Sequence, residues 1–586
     1  MPQANPPLYR VLVEKDVPMT TRDAMTLHVD VYRPDAPGQF PVLLSRLPYD
    51  KNLRPRGGDI DYFVERGYGV IMQDTSGRFA SEGEEYYALI WEMPDGYDAV
   101  EWAAGLPWAG GNVGTTGQSY LGATQYLLAP TRPPHLKAAF PVSAAADFQQ
   151  CWVYHTGGAF EFGWQIPYAI FMARDSLERQ GLKAQLLATL ERDLIPAPTP
   201  FAQPLSDESY RRLPLMAWAD LLRPVARYLT DYLRHPEDGP YWWASNIERQ
   251  HVNINIPMYH VTSWYDIFLH GGLTHYCGLR ERAMTPEARA QQKLLIGPWA
   301  HRFPYTAPSS GDTGDIDFGP NARIELHETQ LRWFDYFLKG IDTGILDEPP
   351  VKIFVMGENV WRDEQEWPLA RTRYTPYYFR SQGQANSLHG DGRLELVGPE
   401  DEPPDRFVYD PDDPVPTCGG NTLIIPMGVQ DQRQVETRQD VLVYTSAAVS
   451  APLEVTGPLV VKLFASSSAI DTDFTAKLVD VRPDGYAQNL ADGILRTRYR
   501  TSRMRPVFLT PDQVYELTID LLATSHVFLP GHRMRLEISS SNFPRFDRNL
   551  NTGEDQATGI RRQTAAQTIF HDRRYASHLL LPVIPR

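Results

Sequence analysis

The spacing of apolar residues changes once along this chain, at the segment IDTGILDEPP (341–350). Downstream the period is two. Tyr515, Leu517, Ile519 and Leu521 alternate with Glu516, Thr518 and Asp520, and Met534, Leu536 and Ile538 alternate with Arg533, Arg535 and Glu537. Successive side chains of a strand point to opposite faces, so the pattern predicts half-buried strands. Turn residues separate such runs, as at Pro483-Asp484-Gly485. Residues 349–586 therefore read as an all-β sandwich of jelly-roll type.

Upstream, short apolar runs alternate with helical ones. FPVLLSR (40–46) and YGVIMQD (68–74) read as buried strands, and DGYDAVEWAAGL (95–106) as a helix capped by Asp95. GNVGTT reads as a strand and LGATQYLLA as the helix after it. The alternation resumes beyond position 250, where INIPMYHVTSWYD and QQKLLIGPWAH carry strands into polar loops and IELHETQLRWFDYFLKG (324–340) is a helix stopped by Gly340. This order implies an α/β unit, a parallel sheet covered by helices. Between 148 and 248 the signal is helical and aromatic, as in CWVYHTGGAFEFGWQ and GLKAQLLATLERDL. An insertion of that size between strands of one sheet covers its active edge. The expected division is core 1–147, helical cap 148–248, core 249–348 and β-sandwich 349–586.

Charge and cysteine content narrow the function classes. A formal net charge of −16 with no basic cluster leaves no footprint for a nucleic-acid partner. The N-terminal stretch MPQANPPLYRVLVEKDVPMTTRD lacks a signal-peptide pattern, and no apolar run approaches the roughly 18 residues of a membrane span, so a cytoplasmic location is expected. Cys151, Cys277 and Cys418 stand apart with no CxxC spacing, which predicts isolated thiols and neither a disulfide framework nor a metal site. No cofactor is expected. A homo-oligomer is left open.

The candidate chemistry centres on Ser119, in GNVGTTGQSYLGATQ (111–125). Gly117 precedes it by two and Gly122 follows by three, so the stretch half-matches the GxSxG nucleophile elbow, with Leu121 in place of the second glycine. Its strand-turn-helix setting is what an elbow requires. A serine hydroxyl needs a histidine base, and that histidine needs a carboxylate to fix its tautomer. In α/β-hydrolases the chain order is Ser, acid, His, each after a strand. Asp266, in SWYDIFLH, and His301, in LLIGPWAH, stand at such positions.

Here the motifs resemble a known family. TGQSYLG, SWYDIF, GPWAH, SRLPYDK (45–51) and QDTSGRFASEG (73–83) are similar, in the same order and over nearly the whole chain, to those of the CocE/NonD hydrolases, which are related to X-Pro dipeptidyl-peptidases. In that family the glycine falls one place later, as GxSYxG, so Leu121 fits. The resemblance implies an α/β-hydrolase core with an inserted helical cap and a C-terminal jelly roll. It implies Ser119 as nucleophile, His301 as base and then acid, Asp266 as its partner, and an oxyanion hole from the Tyr120 N–H and the Tyr49 hydroxyl. The family commonly has DxRG after its second strand, whereas here Asp74-Thr75-Ser76-Gly77 precedes Arg78, and Asp74 and Arg78 are expected to form a structural pair.

Trp152, Trp164 and Phe268 are candidates for the acyl pocket. The reaction expected is hydrolysis of a small-molecule ester or amide through an acyl-enzyme, with activity rising as the histidine loses its proton, near pH 6.5 or somewhat higher beside a carboxylate. A dipeptidyl-peptidase or α-amino-acid ester hydrolase would also need an unpaired carboxylate for the substrate ammonium. A non-catalytic binding protein on the same fold is the reading from a different class.

Overall fold

The computed structural model describes residues 9–53, 59–182, 188–190, 192–195, 203–301 and 313–586. Strands β1 (Val11–Thr20), β2 (Thr26–Pro34), β3 (Phe40–Leu47), β4 (Gly69–Asp74), β5 (Ala109–Gln118), β6 (Leu136–Val142), β7 (Tyr259–Ser263), β8 (Lys293–Gly297), β9 (Val351–Val355) and β10 (Val360–Glu364) form one sheet. Its order is β1-β2-β4-β3-β5-β6-β7-β8-β9-β10. Neighbours from β4 to β9 run parallel, and the margins are antiparallel. Every residue of β4, β7 and β8 is buried, as a sheet with helices on both faces demands of its central strands.

Helices α1 (Asp59–Val64), α2 (Glu92–Ala104) and α3 (Tyr120–Leu128) belong to this unit. The helix Leu326–Lys339 buries Trp333, Phe334 and Leu338 and stops at Gly340, whose φ is 69°. Two expectations are corrected. Helix α2 starts three residues earlier than its apolar spacing suggests, and Asp95 does not cap it, because the Asp95 carboxylate accepts from Ser76 Oγ and lies 3.8 Å from Arg46. The core sheet also does not end at 348. Strand β9 pairs with β8 and β10 with β9, so 351–364 complete the first sheet, and the β-sandwich strands begin at Arg373.

Between β6 and β7 the described residues are mainly helical. They include a π-turn at Gln149–Val153, the long helix α4 (Phe162–Arg179), and shorter helices at Met216–Leu222 and Arg227–Arg234. Trp152, Trp164, Trp218 and Leu229 from this insertion share one apolar cluster with Leu127 of α3. Of the helix expected in GLKAQLLATLERDL, residues 183–187 and 191 lie outside the described residues.

The C-terminal unit has eleven strands among the described residues. The longest, Leu453–Ser467, pairs antiparallel with Tyr515–Phe528, Ala565–Phe570 and His578–Val583, while Asp473–Val481 lies between Ala487–Arg496 and Arg533–Ser539. Leu463 and Ile519 from the first group meet Leu478, Leu490 and Leu536 from the second in one core, which makes the unit a two-layered jelly roll. Leu517, Ile519 and Leu521 are buried while Glu516 and Thr518 are exposed, as the period of two predicts. Glu537 departs from that pattern. It is buried on the opposite face, 3.5 Å from Lys477.

Candidate active site

Strand β5 runs into Ser119, which starts α3 with φ 64° and ψ −122°. The Ser119 N–H donates to the carbonyls of Val142 (2.9 Å) and Ser143 (3.1 Å) at the end of β6. The two glycines have separate steric reasons. A Cβ on Gly117 would lie 2.4 Å from Leu121 Cβ, and one on Gly122 would lie 2.9 Å from the Val142 carbonyl oxygen. Leu121 itself is buried among Leu43, Val142 and Leu295. A glycine is therefore needed at 122, where α3 crosses β6, and not at 121.

Asp266 and His301 follow the adjacent strands β7 and β8. Asp266 is fully buried; its Oδ1 accepts from the Phe268 N–H at 2.6 Å, and its Oδ2 lies 2.8 Å from His301 Nδ1. Gln118, the residue before Ser119, donates to the His301 carbonyl at 3.3 Å, and Ser143 Oγ lies 3.3 Å from His301 Nδ1. Ser143, at φ 48°, carries no motif in the sequence. Strand-end loops thus bring Ser119, Asp266 and His301 to one edge of the sheet.

Tyr49 leaves the loop after β3 and stands edge-on to Tyr120, with ring centroids 6.1 Å apart. Its hydroxyl is 3.1 Å from that of Tyr168 on α4. The Tyr120 N–H is the first of its helix and has no acceptor within it. The Tyr120 hydroxyl donates to Glu92, which burial raises above the usual carboxylate range despite Arg46 at 2.7 Å. Asp74 and Arg78, expected as a pair, do not pair with each other. Asp74 accepts from the Lys51 backbone N–H (2.8 Å) and Nζ (3.0 Å). Arg78 donates to the carbonyls of Pro48 (2.9 Å) and Met172 (2.8 Å) and lies 3.4 Å from Asp175. Both grip the Tyr49 loop, one from each side, and Arg78 ties it to α4.

Comparison with known proteins gives this geometry a context. Residues 23–302 match the X-Pro dipeptidyl-peptidase (S15 family), and residues 343–580 match the X-Pro dipeptidyl-peptidase C-terminal non-catalytic domain. The chain is 37% identical to the cocaine esterase of Rhodococcus sp. (strain MB1 Bresler) over 99% of both chains. It belongs to the CocE/NonD hydrolase family. Among solved structures, an aminopeptidase from a marine sediment Thaumarchaeota archaeon is similar over 100% of this chain and 99% of its own, with TM-score 0.81 and 25% identity. An α-amino acid ester hydrolase covers 100% of this chain and 98% of its own, with TM-score 0.80 and 24% identity, a likeness of fold.

In this CocE/NonD hydrolase the three aromatic candidates form one cluster at the histidine. Trp152 stacks on Phe268 at 5.1 Å and 8°, Trp164 meets Trp152 edge-on at 5.1 Å, and Phe268 presents its ring to His301 at 5.3 Å. Trp152 also reaches Tyr120, at 6.2 Å. The indole N–H of Trp164 is buried without a hydrogen-bond partner. Sequence reasoning missed the contribution of the C-terminal unit. Leu423, Ile424 and Ile425 lie in the same apolar cluster as these rings, and Asn421 Nδ2 donates to the carbonyls of Trp264 (2.7 Å) and Asp266 (3.0 Å). No local pattern marks that loop; only its hydrogen bonds to the Asp266 segment show where it sits.

The three cysteines are free, and burial pushes the Cys151 thiol up to about 12. Among the described residues no His, Cys, Asp or Glu group could hold a metal, and no helix is long and apolar enough to cross a membrane.

Proposed function

We propose that the chain hydrolyses carboxylic esters through an acyl-enzyme on Ser119. Ser119 Oγ attacks the carbonyl as His301 takes its proton. The Tyr49 hydroxyl and the Tyr120 N–H donate to the oxyanion, His301 returns the proton to the leaving alcohol, and water then releases the acid. The observation that carries this reading is the 2.8 Å contact of Asp266 Oδ2 with His301 Nδ1, made beside a serine held at φ 64°. Asp266 would hold the imidazole with its other nitrogen free to serve as base.

An ester is favoured over an amino-terminal peptide by the engagement of three carboxylates near the aromatic cluster. Glu92 meets Arg46, Asp175 meets Arg78, and Asp147 accepts from Asn246 and Gln150. Each of these three has a partner, whereas a substrate ammonium needs a carboxylate of its own; Glu161, whose Oε2 is buried without a hydrogen bond 3.9 Å from Arg545, is the group an amino-terminal substrate would have to use.

The test compares wild type and Ser119→Ala on p-nitrophenyl butyrate and on Ala-Pro-p-nitroanilide. Turnover of the ester alone, reduced at least about 10⁴-fold in the variant, is the expected result. Fast anilide cleavage would make the chain a dipeptidyl-peptidase. Inactivity on both, with no labelling of Ser119 by a fluorophosphonate, would leave a binding protein.

A further inference from the structure

A cavity of about 130 Å³ lies between α3 and the helical insertion, apart from Ser119, Asp266 and His301. Leu89, Met93, Leu127, Phe148 and Trp242 line it, and the Tyr241 ring completes the wall. Ile90 and Ala244, both exposed, mark its mouth. We propose that this cavity is a binding site for a small monocyclic phenol.

Size and walls set the first part of that description. An apolar cavity of about 150 Å³ accepts a benzene ring, and pockets of this kind use few polar groups to fix orientation. The walls here are also held in place. Leu89 sits at φ 69°, which a bulky residue adopts only under constraint, and its N–H donates to the Tyr120 hydroxyl at 3.0 Å. That bond keeps the Leu89 side chain at the wall instead of letting the loop collapse into the space.

The hydroxyl follows from counting protons. The Tyr87 Oη lies 3.0 Å from Asp231 Oδ2 and 2.5 Å from Tyr241 Oη. A carboxylate only accepts, so Tyr87 spends its single proton on Asp231. Tyr241 must then donate its own proton to Tyr87. What remains on the Tyr241 oxygen is a lone pair, an acceptor on a residue that lines the pocket. A ligand O–H satisfies it, and a purely hydrocarbon ring does not.

This inference does not rest on the role of Ser119, and the Ser119→Ala chain should bind as wild type does. Crystals soaked in 4-bromophenol should show an anomalous bromine peak among Leu127, Phe148 and Trp242. Calorimetric titration with phenol should give one site, abolished by Ser245→Trp at the lining. Tyr241→Phe should weaken phenol about fivefold and leave toluene unchanged. Unchanged near-ultraviolet circular dichroism and urea midpoints show that both variants fold. Bromine found only beside Trp152 and Phe268, or nowhere, would overturn the proposal, as would a phenol titration indifferent to Ser245→Trp in a folded variant.

Discussion

Ser119 occupies a backbone conformation that costs a non-glycine residue on the order of 1–3 kcal/mol, and it is kept there by its N–H bonds to Val142 and Ser143 and by the close seating of α3 on β6. Gly122→Ala would place a carbon 2.9 Å from the Val142 oxygen, forcing the helix away. We expect a loss of about 1–3 kcal/mol in urea unfolding, with turnover falling further than stability does. Tyr49→Phe removes the proposed oxyanion donor and should lower kcat by about 10²–10³ with little change in KM, measured by initial rates on a nitrophenyl ester. At this scale the candidate site was legible wherever the signal was local: Ser119, Asp266 and His301 each follow a strand and a turn. Tyr168 and Ser143 were not legible, because their partners Tyr49 and His301 lie 119 and 158 positions away and no short pattern joins them.

Among elements, the loops matter more than the strands that carry them. The Tyr49 loop is clamped by Asp74 from the end of β4 and by Arg78, which links it to α4. The acid loop is clamped by Asn421, which reaches in from the C-terminal unit. Asn421→Ala leaves two buried carbonyls without their donor, a loss of about 1–3 kcal/mol. It should reduce kcat about tenfold or more while Asn421→Gln recovers part of it, and a variant with unaltered kcat would separate the loop from the chemistry. Strong periods were readable from the sequence: the helix Leu326–Lys339 ends at Gly340, and the strand Tyr515–Phe528 alternates as its residues suggest. The sheet boundary was not. VKIFV in β9 is a short apolar run broken by Lys352, and it follows a linker-like segment, so only its pairing with β8 assigns it to the first sheet.

On the scale of the whole molecule, acid should unfold the chain through buried histidines. Burial lowers His251 to about 3 and His260 to about 4; His260 Nε2 is bonded to Gln292 and its Nδ1 to Tyr126. In the unfolded chain both would titrate near 6.5. As pH falls below that value the unfolded state takes up protons first, so stability rises with pH from about 3 for His251 and about 4 for His260 up to about 6.5 and is flat above for these groups. His260 alone contributes roughly 3 kcal/mol to this window. Buried Glu161 and Glu436, raised to about 7, and Asp473, raised to about 6, act with the opposite sign in this window, so the test is a difference: the wild-type urea midpoint should fall with acid more steeply than that of His260→Gln, and parallel curves would contradict the assignment. The two sheets also share more than a covalent link. Since Asn421 steadies the acid loop and Leu423, Ile424 and Ile425 complete the aromatic cluster, the β-unit cannot be exchanged as a neutral module. A chimera that takes its C-terminal half from a sister enzyme would inherit part of that sister's substrate preference along with it.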